Sequence, residues 1–359
     1  MTTLRHVATP HPAATAGLGP RAAAGEPVAA VLAAALHLPG VDALPADLPG
    51  ARAATVEEPA CPPERAADLL GRKGLLAKEP ATRLALCAVH RALGLPAKAP
   101  RRTGPADPRT AVVVSSNLGN VATVGDIARR LRDGGPREVG PLEAPNASSN
   151  VIAGAVAIWF RFGGPNLTVC SGATAGLDAI WLAGLLLRIG RADRVVVVGT
   201  EPDDAQARAL HAARRGRADR RPLRAGAACL LLGPVDGPGE PLGLLGPVRA
   251  VGADGASPAA PGSADDTVPG SVDGDVPGSV DGDVPGSVDG AVPGSVDGVP
   301  PAAPRLVDDA VLPGDHYGAA GVVHTAVALR LLAGTPAVRV RCGDPADGFR
   351  ELTVTGAAR

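Results

Sequence analysis

The sequence predicts an α/β fold, a mixed or parallel sheet with helices packed against it, and three patterns lead there. A short strand, Leu167 to Cys170, passes through a Gly- and Ser-containing turn into a long apolar helix, Ala175 to Ile189, and then into a buried strand, Arg194 to Gly199. A β-branched run beginning at Thr110 (TAVVVSSNLGN) stops at polar and glycine residues and is followed by a helix from about Thr123 to Leu131. Finally, the helix at 175–189 and a second one within GAAGVVHTAVALRLLAG at 318–334 are apolar nearly all round. Helices of that kind must be buried, so they do not fit the surface of a two-layer fold.

Composition bounds the function. With 359 residues, 45% hydrophobic and 20% charged, the chain buries a sizeable core and is not wholly disordered. The 35 Lys and Arg against 36 Asp and Glu leave a net charge of -1, and aromatics are 2%, so neither a basic footprint nor stacking platforms for nucleic acid are present. The five cysteines are odd in number, widely spread and free of any CxxC pair. That spacing argues against a disulfide scaffold and a zinc cluster, so no metal and no cofactor are expected, and a reducing cytoplasm fits. The longest apolar run, Val151 to Phe160, is far below the roughly 20 residues that span a bilayer, so neither a membrane span nor a signal peptide is expected.

Taken in order, residues 1–60 are Ala/Pro-rich and poorly patterned, with one amphipathic helix expected at Val28 to Leu36. EPATRLALCAVHRAL (79–93) has helical spacing and ends at Gly94; Cys87 reads as a small core residue and His90 as a surface or core histidine of that helix. AGAACLLLG (225–233) is a further strand. Next comes VPGSVDGD at 268–275, repeated with a period of eight to residue 299, within a stretch from 250 to 304 that holds nine Asp and no Lys, Arg or Glu. Two valines per unit cannot bury a solenoid face, and a Pro in every unit interrupts any calcium loop, so this is read as a disordered linker.

Cys170 is the sharpest chemical candidate, with the alternative that it is one more small buried residue like Cys87, Cys229 and Cys342. It sits where a strand turns into a helix, so helix N–H groups and partial positive charge are expected to lower its pKa and make it the most reactive of the five thiols near neutral pH. Ser171 and Gly172, in the same turn, are candidates for contacting substrate, since small residues let a carbonyl approach the backbone. Ser115, Ser116 and Asn117, after the strand at Thr110, either line the site or simply form a turn.

The blocks NLTVCSGATAGLDAI (166–180), GRADRVVVVGTE (190–201), PLRAGAACLLLG (222–233) and HYGAAGVVHTAVALRLLAG (316–334) resemble the β-ketoacyl-carrier-protein synthase (ketosynthase) family of the thiolase superfamily. The resemblance runs from Thr110 to Leu352, interrupted by the repeat. It implies a thiolase-type fold of two pseudo-equivalent halves in α-β-α-β-α layers, paired as a dimer. The chain then divides into a poorly ordered segment (1–60), an N-terminal ketosynthase-like half (61–250), the acidic linker (251–304) and a remnant of the C-terminal half (305–359). The resemblance makes Cys170 the nucleophile that accepts an acyl chain from the phosphopantetheine thioester of an acyl carrier protein.

The departures are equally specific. The family's HGTGT-like segment is absent, and in the slot of its GHTxGAAG histidine stands Asp315, with His316 one residue later. A carboxylate cannot donate the hydrogen bonds that a neutral imidazole gives a thioester carbonyl, so only rotation of His316 would restore the role. His324, inside the apolar helix, reads as a satisfied core histidine. GDPADGFREL (343–352) replaces the family's Gly- and Phe-rich closing loop. The implied function is an acyltransferase of polyketide or fatty-acid-type secondary metabolism in which condensation is impaired. The alternative is a catalytically silent, chain-length-factor-like subunit paired with a competent ketosynthase; a degenerate gene is a third reading. Partners are therefore a carrier protein and a second subunit, identical or not, joined near Val151 to Phe160.

Overall fold

The computed structural model describes residues 26–41, 59–141, 143–214, 221–255 and 304–357. The acidic repeat, and with it the linker reading, lies outside the described residues. In chain order the regular elements are β1 (Ala29–His37), α1 (Ala66–Leu70), α2 (Pro80–Ala92), β2 (Thr110–Ser115), α3 (Val121–Gly134), α4 (Val151–Phe160) and β3 (Asn166–Val169). They continue with α5 (Ala175–Arg188), β4 (Arg194–Glu201), α6 (Ala205–Ala212), β5 (Gly226–Gly233), β6 (Gly243–Leu245), β7 (Arg249–Val251), β8 (Arg305–Val307), α7 (Ala320–Leu331), β9 (Ala337–Asp344) and β10 (Gly348–Thr355).

The strands form one sheet in the order β3-β2-β4-β5-β1-β6-β10-β9-β8, with β7 pairing beside β10. Strand β2 runs parallel to both β3 and β4, in registers such as Val113 to Leu167 and Val113 to Val197. Strands β2 and β4 are buried on both faces, which explains their continuous valine runs. Alternation along them feeds two cores. Ala111, Val113, Val195 and Val197 join the core built with α5 and α7, whereas Val112, Val114, Val196 and Val198 join the core built with α1, α2 and α4.

Helices α5 and α7 therefore form an inner layer. Helix α5 packs on β2, β3 and β4 and also on β10; α7 packs on β1, β4 and β5 and also on β8, β9 and β10. Helices α2 and α4 cover the opposite face of the first part of the sheet. The stretch Tyr317–Gly334 is long and apolar enough to cross a membrane, but 78% of it is buried inside the protein, which marks it as a core helix.

One expected element is overturned. Residues 28–36, read as an amphipathic helix in a poorly ordered segment, contribute the strand Ala29–His37 in the middle of the sheet. It pairs antiparallel with β5, from Ala30 opposite Gly233 to His37 opposite Ala227, and with β6 on its other side. Alanine favours a helix by only tenths of a kcal/mol per residue, and two flanking ladders that would otherwise lose their partners outweigh that preference. The other strands and helices fall within a few residues of their expected limits, and GDPADGFREL is the β9–β10 hairpin.

The inner helices touch backbone to backbone. A Cβ on Gly176 would lie 2.6 Å from the Gly321 nitrogen, and a Cβ on Gly321 would lie 2.5 Å from the Leu177 nitrogen. Real Cβ atoms do not sit that close to backbone, so an added methyl forces the helices apart. Gly176→Ala and Gly321→Ala are each expected to cost about 1–3 kcal/mol, the usual range for overpacking. Thermal unfolding checks this: a Tm unchanged within 1 °C (about a quarter to half of the shift expected per kcal/mol in a domain this large) would show that the crossing has slack.

Candidate active site

Cys170 follows the end of β3, and the chain then makes a single 3-10 turn (Gly172–Thr174) into α5. Of the five cysteines it is the exposed one. Its thiol donates to the Ser116 carbonyl at 3.1 Å. The helix-start N–H groups expected to activate it are otherwise engaged. Gly172 N–H donates to Asn117 Oδ1 (3.1 Å), while Asn117 Nδ2 donates back to the Gly172 carbonyl (2.9 Å). Ala173 N–H donates to Asp347 Oδ2 at 2.7 Å. Accordingly the Cys170 thiol is pushed up, not down, by its partial burial and by the nearby Glu201 carboxyl.

The other residues of the turn are held as firmly. Ser171 Oγ donates to Asp178 Oδ2 at 2.5 Å, and Asp178 also accepts from Arg350 Nε at 3.0 Å. Gly172 has φ +68°, and a Cβ there would meet the Asp347 carboxylate at 2.1 Å, so the position requires glycine. The hydroxyl of Ser171 is thus tied into the fold, and Gly172 offers space taken by Asp347. Neither presents a vacant substrate contact in this arrangement, contrary to the sequence expectation for both.

Beneath the turn lies Glu201, the last residue of β4 and fully buried. Its carboxyl accepts from Asn117 N (2.7 Å), Leu118 N (3.0 Å) and Ser116 Oγ (3.2 Å), and from the Gly318 main chain. Burial pushes it up to about 8 despite these donors. Ser116 and Asn117 are therefore more than a turn: through Glu201 and Gly172 they fasten the end of β2 to the Cys170 segment.

Asp315 and His316 precede the 3-10 turn Tyr317–Ala319 that starts α7. Asp315 Oδ2 pairs with His211 Nε2 at 2.8 Å, and Oδ1 accepts from Tyr317 N at 2.6 Å. His316 is 3% exposed, packs against Gly226 of β5, and neither ring nitrogen makes a hydrogen bond. Burial, with the neighbouring His324, pushes its pKa down to about 4. A cavity of about 200 Å³ lies beside this segment, lined by Asp315 and Tyr317 but not by His316, and also by Ala173, Arg214 and Asp344. The expectation that His316 turns into the site is not met: its ring is committed to the core between the strands and α7 and does not line that cavity. His324 bonds Arg341 O through Nδ1 (3.2 Å) and faces Asp309 through Nε2 (3.5 Å), as a satisfied core histidine does.

Sequence reasoning missed the groups that organise this site. Arg214 bridges Asp344 (2.7 Å) and Asp347, and its guanidinium stacks over Tyr317 at 4.0 Å. Of these, only Glu201 left a signal in the chain, as a carboxylate closing the otherwise apolar run VVVVGT. His211, Arg214 and Asp347 are brought in from distant segments.

Buried inner helices, a layered sheet and a cysteine at a strand-to-helix turn define the thiolase-type class of fold. Residues 52–229 match the family model described as Beta-ketoacyl synthase, N-terminal domain, and the chain belongs to the β-ketoacyl synthase family of that superfamily. It is 37% identical over 92 residues to a 3-oxoacyl-[acyl-carrier-protein] synthase 2 of Rhizobium meliloti (strain 1021), a match covering 26% of this chain and 22% of that protein. A namesake from Coxiella burnetii is 31% identical over 94 residues, covering 26% and 23%. The matched stretch thus spans less than a quarter of these relatives.

Among solved structures, the ishigamide ketosynthase/chain length factor superposes with a TM-score of 0.61 at 20% identity, over 92% of this chain and 99% of that one. A β-ketoacyl synthase from Burkholderia phymatum STM815 gives 0.59 at 12% identity, over 93% and 100%. A type II PKS acyl-carrier protein in complex with its ketosynthase gives 0.58 at 12%, over 92% and 99%.

Two pH dependences follow. Below its pKa a thiol gains thiolate tenfold per pH unit. Alkylation of Cys170, read by peptide mass mapping, should therefore climb with that slope from pH 7 to 9; a plateau below pH 8 would reveal an activated thiolate. For Glu201, the folded state keeps a proton that the unfolded chain has lost above the ordinary 4.5. Stability is then greatest at the acid end of the window and falls as pH rises from 4.5 to about 8. Glu201→Gln, compared with wild type by denaturant unfolding, should flatten that decline, and parallel curves would place the charge elsewhere.

Proposed function

We propose that this chain exchanges acyl groups with the phosphopantetheine arm of an acyl carrier protein through Cys170 and does not carry out decarboxylative condensation. The observation that carries the reading is the pairing of an exposed cysteine in the nucleophile turn with Asp315, bound to His211, in the slot of the family's histidine. Exchange needs only a thiolate and donors for the oxyanion. Cys170 loses its proton and its sulfur attacks the thioester carbonyl; the new S–C bond forms, the bond to the pantetheine sulfur breaks, and that sulfur takes up the proton. Ala173 N–H becomes available to the oxyanion once Asp347, on the β9–β10 hairpin, withdraws from it. Condensation demands more. Near the thioester carbonyl a carboxylate offers repulsion where negative charge builds, and the buried His316 does not reach the cavity.

The engaged N–H groups and the raised thiol favour a second reading, a silent subunit that dimerises with a competent ketosynthase. In either reading the partner subunit would pack on the open edge of β3 beside α4, a reading supported by the exposure of Ile158 (74%) and Leu167 (37%) there.

Incubation with an acyl-phosphopantetheine thioester at pH 8.5 (where thiolate is about thirty times as abundant as at pH 7), followed by intact mass, should show one acyl adduct. The adduct should vanish in Cys170→Ala and persist in Cys342→Ala, and malonyl-carrier protein should yield no ketoacyl product. Absence of the adduct, together with a co-purifying ketosynthase, transfers the assignment to the silent subunit; a condensed product overturns both.

A further inference from the structure

On the face of the sheet opposite α5 and α7, three groups from separate parts of the chain converge. His37 ends β1, Cys61 lies in the segment ahead of α1, and Cys87 lies on α2. One ligand atom of each lies within 4.8 Å of the other two. His37 Nε2 stands 3.7 Å from Cys61 Sγ and 3.0 Å from the Cys61 carbonyl. His37 and Cys87 are completely buried, whereas Cys61 is partly open to solvent.

Neither packing nor hydrogen bonding completes this arrangement. The His37 ring is 0% exposed, yet its Nδ1 has no hydrogen-bond partner. The 3.7 Å between His37 Nε2 and Cys61 Sγ is the separation of two ligands on one metal ion, and Cys87 Sγ lies within 4.8 Å of both. Zn–S bonds of about 2.3 Å and Zn–N bonds of about 2.0–2.1 Å at a tetrahedral angle place sulfur and nitrogen about 3.6 Å apart. Two thiolates and an imidazole are a soft to borderline donor set, suited to zinc over magnesium or calcium.

We propose that His37 Nε2, Cys61 Sγ and Cys87 Sγ form a zinc site of three protein ligands, with a water completing the tetrahedron on the Cys61 side, where the cluster is partly open to solvent. Binding displaces the two thiol protons and, from Nε2, shifts the ring proton to Nδ1; no electron transfer is involved. The site ties the central strand β1, the chain ahead of α1 and helix α2 to one ion, so its role is structural. Spacing rules do not reveal it, because Cys61 lies 24 positions after His37 and Cys87 lies 26 positions after Cys61. The absence of a CxxC pair, taken above as evidence against zinc, tests only local ligand pairs.

The full-length protein, stripped with a chelator and kept reduced, is titrated with Zn²⁺ against a chromophoric competitor, and with Co²⁺ as a spectroscopic probe. The expected result is one ion per chain, Co²⁺ spectra showing thiolate charge transfer and four-coordinate bands, and a higher Tm with metal. Cys61→Ser, at the least buried ligand, should bind at least about 100-fold more weakly, since losing even a supporting contact costs 10–100-fold. Cys170→Ala should bind as wild type does. As a readout that needs no variant, Zn²⁺ should protect the partly exposed Cys61 from alkylation and leave Cys170 unprotected. Undiminished binding in Cys61→Ser, protection of other cysteines instead, or no uptake by the reduced protein would overturn the site. So would a Cys61–Cys87 disulfide accompanied by no metal binding after its reduction.

Discussion

The crossing of α5 and α7 at Gly176 and Gly321 is the contact on which the site depends. With no Cβ on either side, the two helix starts meet at backbone distance, and each helix start delivers one part of the site. The turn into α5 carries Cys170, Ser171 and Gly172; the turn into α7 carries Asp315, His316 and Tyr317. Spreading the helices by one methyl would separate the two. The crossing is also why these helices are apolar all round, since sheet strands lie against both sides of the pair.

Around that crossing, carboxylates do much of the positioning. Glu201 gathers donors from the loop after β2 and from Gly318, Asp347 caps Ala173 N–H while holding Arg214, and Asp315 holds His211. Burying a carboxyl is costly unless its oxygens are matched, and the matched donors here come from four different segments. The result is a preorganised but closed arrangement. It favours the neutral thiol of Cys170 and occupies the Gly172 and Ala173 N–H groups of the turn.

Much of the fold was legible because the local signal and the tertiary outcome agree. The valine runs of β2 and β4, the apolar helices α5 and α7, and the strand-turn-helix at Cys170 each carry their period in the chain. Strand β1 was not legible, since AAVLAAALH has a helix-forming composition and becomes a strand only through ladders to β5 and β6. His316 failed for a related reason: adjacency to the family slot in sequence says nothing about which side of the turn a ring faces.

The sequence alone determined the α/β class and singled out Cys170 and Asp315 for inspection, because those are matters of residue type and local spacing. Only the tertiary structure decided that Cys170's thiol is raised, that Ser171 and Gly172 are engaged, and that His37, Cys61 and Cys87 meet. Each of those outcomes depends on groups far apart in the chain, and electrostatics, hydrogen bonding and coordination act over a few ångströms of space whatever the number of residues between them.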